Sequence, residues 1–154
     1  DYGDAPDPTY PTLKASNGAS HIISPNMYLG LGIDSESDGQ PSAFATGDDT
    51  DGNDDEDGVV FLDALMAGTS TRIQVTASTR GYLNAWMDWN RDGDWDDQGE
   101  QIFTDELRGA TVNDLMISVP SYLSEGGTFA RFRFDSLGGL NYTRAAQNGE
   151  VEDY

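Results

Sequence analysis

Hydrophobic and polar residues alternate with a period of two through most of the chain after Gly58. Gly58-Val59-Val60-Phe61 reads as a short strand, and the stretch from Thr71 to Ser78 puts Ile73, Val75 and Ala77 on one face of a half-buried strand. The alternation continues from Tyr82 to Trp89, with Leu83, Ala85 and Met87 on one side and Tyr82, Asn84, Trp86 and Asp88 on the other. Leu115, Ile117 and Val119 alternate before Pro120, and Phe129, Arg131 and Arg133 interleave with Ala130, Phe132 and Phe134. The spacing over 103–109 allows one helical turn. Residues 1–57 look different: Pro6, Pro8, Pro11, Pro25 and Pro41 and many glycines separate short apolar patches at His21-Ile22-Ile23 and Met27-Tyr28-Leu29, which predicts loops with one or two short strands. No long 3.6-residue period is present. The pattern therefore predicts an all-β chain, an antiparallel, jelly-roll-like β-sandwich with long acidic loops, in a single domain over 1–154.

Composition changes that picture mainly through charge. Hydrophobic residues make up 36% of the 154, low for a globular chain but enough for one core. Asp and Glu number 28 against 8 Lys and Arg, a formal net charge of −20. The basic residues are scattered, so the chain is not expected to bind nucleic acid, whose phosphates are held by clustered Lys and Arg. Anionic membrane surfaces are disfavoured on the same ground, and no run approaches the ~20 apolar residues of a membrane span. Self-repulsion of this size opposes the compact state unless cations sit among the carboxylates. Cysteine is absent, which removes disulfides and thiolate metal sites. The opening Asp1-Tyr2-Gly3-Asp4-Ala5-Pro6 does not read as a signal peptide, and the expectation is a domain excised from a longer chain.

Three acidic constellations are candidate calcium sites. In Asp88-Trp89-Asn90-Arg91-Asp92-Gly93-Asp94-Trp95-Asp96, oxygen-bearing side chains occupy positions 1, 3, 5, 7 and 9 of an EF-hand-like loop: Asp88, Asn90, Asp92, Asp94 and Asp96. Gly93 falls at position 6, where that loop turns sharply. The departure lies at the end: position 12 is Gly99, Glu100 follows one residue late, and a strand replaces the incoming helix. Asp, Asn and Gly also build plain turns, which is the competing reading. The second constellation runs from Gly47 to Gly58 and holds seven carboxylates between Asp48 and Asp57. Asp49, Asp51, Asn53, Asp55 and Asp57 keep the alternating spacing, although a solvated acidic loop would look the same. The third joins the ends, with Asp1, Asp4 and Asp7 at the start and Glu150, Glu152 and Asp153 at the finish, since the termini of a domain often lie close together.

Longer motifs carry a family resemblance. Asp-Tyr-Gly-Asp-Ala-Pro at 1–6, Tyr10-Pro11-Thr12, Gly18-Ala19-Ser20-His21, Asp55-Glu56-Asp57-Gly58-Val59, Leu83-Asn84-Ala85-Trp86, Asp88-Trp89-Asn90, Gly99-Glu100-Gln101-Ile102-Phe103, Arg131-Phe132-Arg133 and the closing Gly149-Glu150-Val151-Glu152-Asp153-Tyr154 together resemble the GEVED domain family. Met87 stands where many members have Ile or Val, an exchange of one core residue for another. The resemblance implies an extracellular accessory module of a large secreted or surface-attached bacterial protein, found beside adhesive, cadherin-like and hydrolase domains. It implies no particular ligand.

Enzymatic chemistry is not expected. His21, the lone histidine, lies in no nucleophile elbow or zinc-protease helix and reads as a structural residue bonded to backbone. No glycine-rich phosphate loop precedes a helix. The competing function comes from aromatics: Tyr82, Trp86, Trp89 and Trp95 fall within fourteen residues, and exposed flat rings beside polar groups stack on sugars. Trp95, Trp89 and Tyr82 are therefore candidate saccharide contacts, with calcium bridging any anionic sugar. The expected function is a non-catalytic calcium-binding module. A carbohydrate-binding module is the alternative, and an adhesive contact with another protein or with neighbouring domains of the same chain is a third possibility.

Overall fold

The computed structural model describes residues 1–47 and 55–154 of the chain. Among the described residues nine strands follow in order: β1 (Ser20–His21), β2 (Val59–Phe61), β3 (Ser70–Ala77), β4 (Gly81–Met87), β5 (Gln101–Arg108), β6 (Thr111–Ser118), β7 (Ala130–Asp135), β8 (Ala145–Ala146) and β9 (Glu150–Asp153). One 3-10 turn at Lys14–Ser16 is the only helical element among the described residues. The sheets are β2-β3-β6 and β5-β4-β7-β9, both antiparallel, with a short parallel pair β1-β8 beside them. The chain is a β-sandwich. Ile73, Val75, Leu115 and Ile117 from one sheet meet Leu83, Ala85, Met87, Phe132 and Phe134 from the other, and Leu29 and Trp89 complete this core.

Residues 103–109 do not form a helical turn. Residues 103–108 belong to β5 and Gly109 follows it; the register of β5 against β4 slips twice, between Leu83 and Ala85 and between Ala85 and Trp86. Asp105, with φ +50°, sits at the slip, and Asn84 clasps it there: the Asn84 amide donates to Asp105 Oδ1 at 3.0 Å and the Asp105 N–H donates to Asn84 Oδ1 at 3.0 Å. A bulge inserts an extra residue and breaks period two. Phe103 is buried and Glu106 half-buried, so the interval between inward-facing residues becomes three, which imitates a helix.

Every residue of β7 is buried, because each face of that strand meets a different layer. Ala130, Phe132 and Phe134 enter the sandwich core. Arg131 and Arg133 project from the opposite face into a polar layer formed by the N-terminal segment and the loop over 140–144. Asp153 takes Arg131 in a bidentate pair, Nε to Oδ1 and Nη2 to Oδ2, both 2.6 Å. The remaining donors of Arg131 reach the carbonyls of Pro11 and Tyr142 and the hydroxyl of Thr12, leaving no N–H unmatched. Arg133 is satisfied almost entirely by backbone: carbonyls of Ser20, Asn141, Thr143 and Arg144 accept from it, and its Nε donates to His21 Nε2 at 3.0 Å. Burial, with the charge of Arg131 next, lowers the Arg133 guanidinium to about 9. The Nδ1 of His21 donates to the Asn148 carbonyl at 2.8 Å, and burial with the Arg133 charge keeps the imidazole neutral, well below its usual range.

This layer carries a stability consequence. Asp153→Asn keeps the shape of the side chain but leaves the Arg131 cation buried and unpaired, and is expected to cost about 3–5 kcal/mol. The loss is read as a lower urea midpoint at unchanged m value. A loss under about 1 kcal/mol would mean that backbone carbonyls alone suffice for Arg131.

Candidate functional site

β4 ends at Met87, and the chain then curls through 88–100 before β5 begins. Trp89, buried between the sheets, anchors the start of the curl, while Arg91 and Gly93, with φ of +61° and +96°, turn it back on itself. A glycine at the sharp turn avoids the Cβ penalty of the left-handed region. Asp88 is fully buried and accepts from the backbone N–H groups of Arg91 and Gly93 and from the Tyr10 hydroxyl, the last at 2.6 Å. Glu100 is 1% exposed and accepts from the N–H groups of Trp89 at 3.1 Å and Asp97 at 3.2 Å. These contacts aim the two carboxylates at exposed Asp92, and oxygens of Asp88, Asp92 and Glu100 lie within 4.8 Å of one another. Glu100 joins the group although it comes one residue later than an EF-hand would place it.

The other loop residues stand outside that group. The Asn90 amide donates to Asp92 at 3.0 Å and to Asp97 at 2.5 Å, so Asn90 remains at the rim. Asp94 accepts from the Asp96 N–H at 2.9 Å, and Asp96 accepts from the Tyr142 hydroxyl at 2.7 Å. Asp97 is a rim carboxylate that the alternating pattern passes over.

A second convergence involves both chain ends and one residue of the acidic run. Asp1, Asp55 and Glu150 bring oxygens within 4.8 Å of one another, as do Asp34, Glu36 and Asp55. Asp34 and Glu36 are absent from the sequence reading, which took residues 1–57 for their prolines and glycines; the signal was the alternation of Asp34, Glu36 and Asp38. Asp49, Asp51 and Asn53 lie outside the described residues. Asp57 accepts from the Leu31 N–H at 2.9 Å, and Asp4 accepts from the Gly47 N–H at 2.6 Å. Glu152 accepts from the Gly58 N–H at 2.8 Å and from the Tyr154 hydroxyl at 3.1 Å, so it stands beside the convergence without entering it.

Three expectations need correction. Asp153 does not point toward a metal: the guanidinium of Arg131 and the N–H groups of Asp4 and Ala5, at 3.0 and 2.9 Å, occupy both its oxygens. Gly3 permits that approach, because a Cβ there would lie 2.3 Å from Asp153 Oδ2. Trp89 offers no stacking face, being 1% exposed inside the core. Trp95 is 2% exposed, packed against Tyr10 and under the Arg131 guanidinium. Tyr82 is half-buried on β4.

Electrostatics follow from burial. Burial, with Asp88 adjacent, lifts Glu100 to about 7. Burial and then Asp34 lift Glu36 to about 8; burial, against the Gly58 N–H, lifts Glu152 to about 8; burial and Glu152 lift Glu150 to about 11. A carboxylate taken out of water without a cation holds a proton instead.

The GEVED domain model matches residues 82–154, from β4 through the last residue. The chain carries a GEVED domain. The match includes the whole 88–100 loop, Arg131, Arg133 and Glu150 to Tyr154, whereas Asp1, Asp34, Glu36 and Asp55 lie before it. Comparison with curated proteins and with solved structures gives no match.

Raised carboxylates set the sign of a pH effect, one of them within the GEVED match and one before it. A folded acid whose proton is held above its unfolded value contributes stability that is full below the unfolded value and is lost as pH rises through the folded one. With Glu36 and Glu152 near 8, stability in chelator is expected to fall between pH 7 and pH 8.5, by up to about 1.4 kcal/mol per pH unit for each proton retained. Thermal melts across that interval test it, and a flat or rising profile would contradict it. His21 does not disturb this window, because it stays neutral when folded and is already largely deprotonated when unfolded.

Proposed function

We propose that this GEVED domain is a non-catalytic, calcium-binding accessory module of a larger secreted or surface-attached bacterial protein, and that bound calcium stiffens it. The observation that carries the reading is the convergence of Asp88, Asp92 and Glu100 at the end of one tightly curled loop. The donors are all hard oxygens, the class calcium takes in six- to eightfold coordination at ~2.3–2.6 Å. Softer metals lack partners here: the chain has no cysteine, and both ring nitrogens of its only histidine are engaged, by Arg133 and Asn148. Two of the three carboxylates are held by backbone N–H groups and, for Asp88, by Tyr10, which is the kind of outer support that orients metal ligands.

A carbohydrate-binding reading rests on a separate observation. A cleft of about 490 Å³ opens beside the loop, lined by Trp86, Trp95, Tyr142, Gln101, Asn141 and Asp97 among others. Aromatic residues and amides both line it, the mixture that holds sugars. Tyr142 replaces Trp89 and Tyr82 as the aromatic to test. On a glycan array with calcium and then with chelator, binding abolished by Tyr142→Ala would favour this reading, and silence on every glycan would remove it.

Calcium is expected to raise the melting temperature. A site with a dissociation constant of about 10–100 μM in millimolar calcium adds roughly 1.4–2.7 kcal/mol, several degrees for a domain of this size. Asp92→Ala should lose one ion and the matching part of that gain while melting like the parent in chelator. Equal calcium uptake by parent and Asp92→Ala in calorimetry would refute the loop assignment.

A further inference from the structure

The carboxylates that gather the two chain ends form an arrangement unlike a solvated acidic patch. Glu150 is 1% exposed as a residue, and the side chain of Glu36 is 5% exposed. One oxygen of each is fixed by a backbone N–H: Glu36 Oε2 accepts from Tyr2 at 3.0 Å and Glu150 Oε2 accepts from Leu29. Asp1 Oδ2 likewise accepts from Val151 at 2.8 Å, and Asp55 Oδ2 from Asp34 at 2.8 Å. The other oxygens, Glu36 Oε1 and Glu150 Oε1, together with Asp34 Oδ1, are buried with no hydrogen-bond partner. Buried polar atoms left in that state are rare in folded proteins and demand an explanation. No arginine or lysine side chain among the described residues pairs with Asp34, Glu36 or Glu150; the cation beside them is the Asp1 ammonium, 3.9 Å from Glu36 Oε2.

We infer that Asp1, Asp34, Glu36, Asp55 and Glu150 form a calcium centre, separate from the 88–100 loop, that holds two ions bridged by the Asp55 carboxylate. Each triad, Asp1-Asp55-Glu150 and Asp34-Glu36-Asp55, spans no more than 4.8 Å between oxygens, which is twice a calcium–oxygen distance of ~2.4 Å. Each triad therefore fits around one ion, and Asp55 belongs to both. Charge points to the same number. Ionised, the five carboxylates carry five negative charges against the one positive charge of the Asp1 ammonium, a balance of −4 that two divalent ions offset and one ion would only halve. The centre joins four stretches of chain far apart in sequence: the first residue, the loop at 34–36, the residue four positions before β2, and the start of β9. It thereby staples the N-terminal segment and the acidic run to the edge of the four-stranded sheet. This extends the calcium reading to different residues and stands or falls separately from the loop.

Native mass spectrometry of the whole chain in calcium counts the ions directly. Asp55→Asn is expected to bind two fewer ions than the parent, and Glu36→Gln one fewer, while both keep the ion lost in Asp92→Ala. Should the loop not bind calcium, Asp92→Ala will match the parent and the loss of two in Asp55→Asn will remain. An Asp55→Asn protein that binds as many ions as the parent, or only one fewer, overturns the bridged centre. Should Asp55→Asn fail to fold, ytterbium-soaked crystals of the parent decide the matter. Two anomalous peaks ~3.5–4 Å apart on either side of Asp55 are expected, and one peak or none there overturns the proposal.

Discussion

The bidentate pair of Arg131 with Asp153, both side chains at 0% exposure, is the interaction on which the architecture depends. A guanidinium can be buried only if its charge is matched and its donors are all met, and here the matching partners come from three parts of the chain. Asp153 supplies the charge from β9; Pro11 and Thr12 come from the N-terminal segment; Tyr142 comes from the loop after β7. Asp153 in turn accepts from the backbone of Asp4 and Ala5. The irregular first twenty residues are thus not a loose tail. They form a layer over the outer face of the four-stranded sheet, held by these polar contacts and by the packing of Ala5 and Tyr10 against Trp86 and Trp95, where an ordinary sandwich would face water.

A chain with a net charge of −20 that assigns one of its few cations to an internal ion pair leaves its remaining carboxylates short of partners. The structure distributes them in two ways. Some cap backbone, as Asp7 does by accepting from the N–H groups of Thr12 and Leu13, and these accepted bonds, with the Ser16 hydroxyl, hold its carboxyl below the ordinary carboxylate range despite the cost of burial. Others face one another under cover, as Glu36 and Asp34 do, and burial lifts them. The second group has no stable arrangement at neutral pH without a proton or a cation, and a divalent ion relieves repulsion and satisfies lone pairs at once.

Strands were readable because alternation is a backbone property. The period of two in Ala130 to Asp135 survives even though both faces are buried, since a strand sends successive side chains to opposite sides whatever lies there. What alternation could not say was that Arg131 and Arg133 face a covered layer, because that cover joins the nearby loop over 140–144 to residues more than a hundred positions earlier. The slip at Asp105 hid a strand for a related reason: a bulge is specified by the Asn84 clasp, a contact across the sheet. Among metal candidates, Asp88, Asp92 and Glu100 were readable because one short loop brings them together. Asp34 and Glu36 were not, since their partner Asp55 meets them only through the fold. The aromatic reading failed for Trp89 and Trp95 because large rings bury first and serve as surfaces second.

The N-terminal segment also links the two acidic regions. Tyr10 packs against Trp95 at a ring-centroid distance of 4.6 Å and donates its hydroxyl to Asp88, while Asp1 at the head of the same segment stands among Asp55 and Glu150. A cation drawing Asp88 into its coordination sphere would therefore also fix Tyr10, and one held by Asp1 would fix the segment at its other end. Between these points lie Pro11 and Thr12, the residues that Arg131 grips. Three fastenings on one strip of chain cooperate, because ordering any of them reduces the conformational entropy that the others must overcome. Under the calcium proposal, the polar layer is then the element through which bound ions would act on the sandwich as a whole, beside the direct links that the core residues Leu29 and Trp89 make through their N–H groups to Glu150 and Glu100.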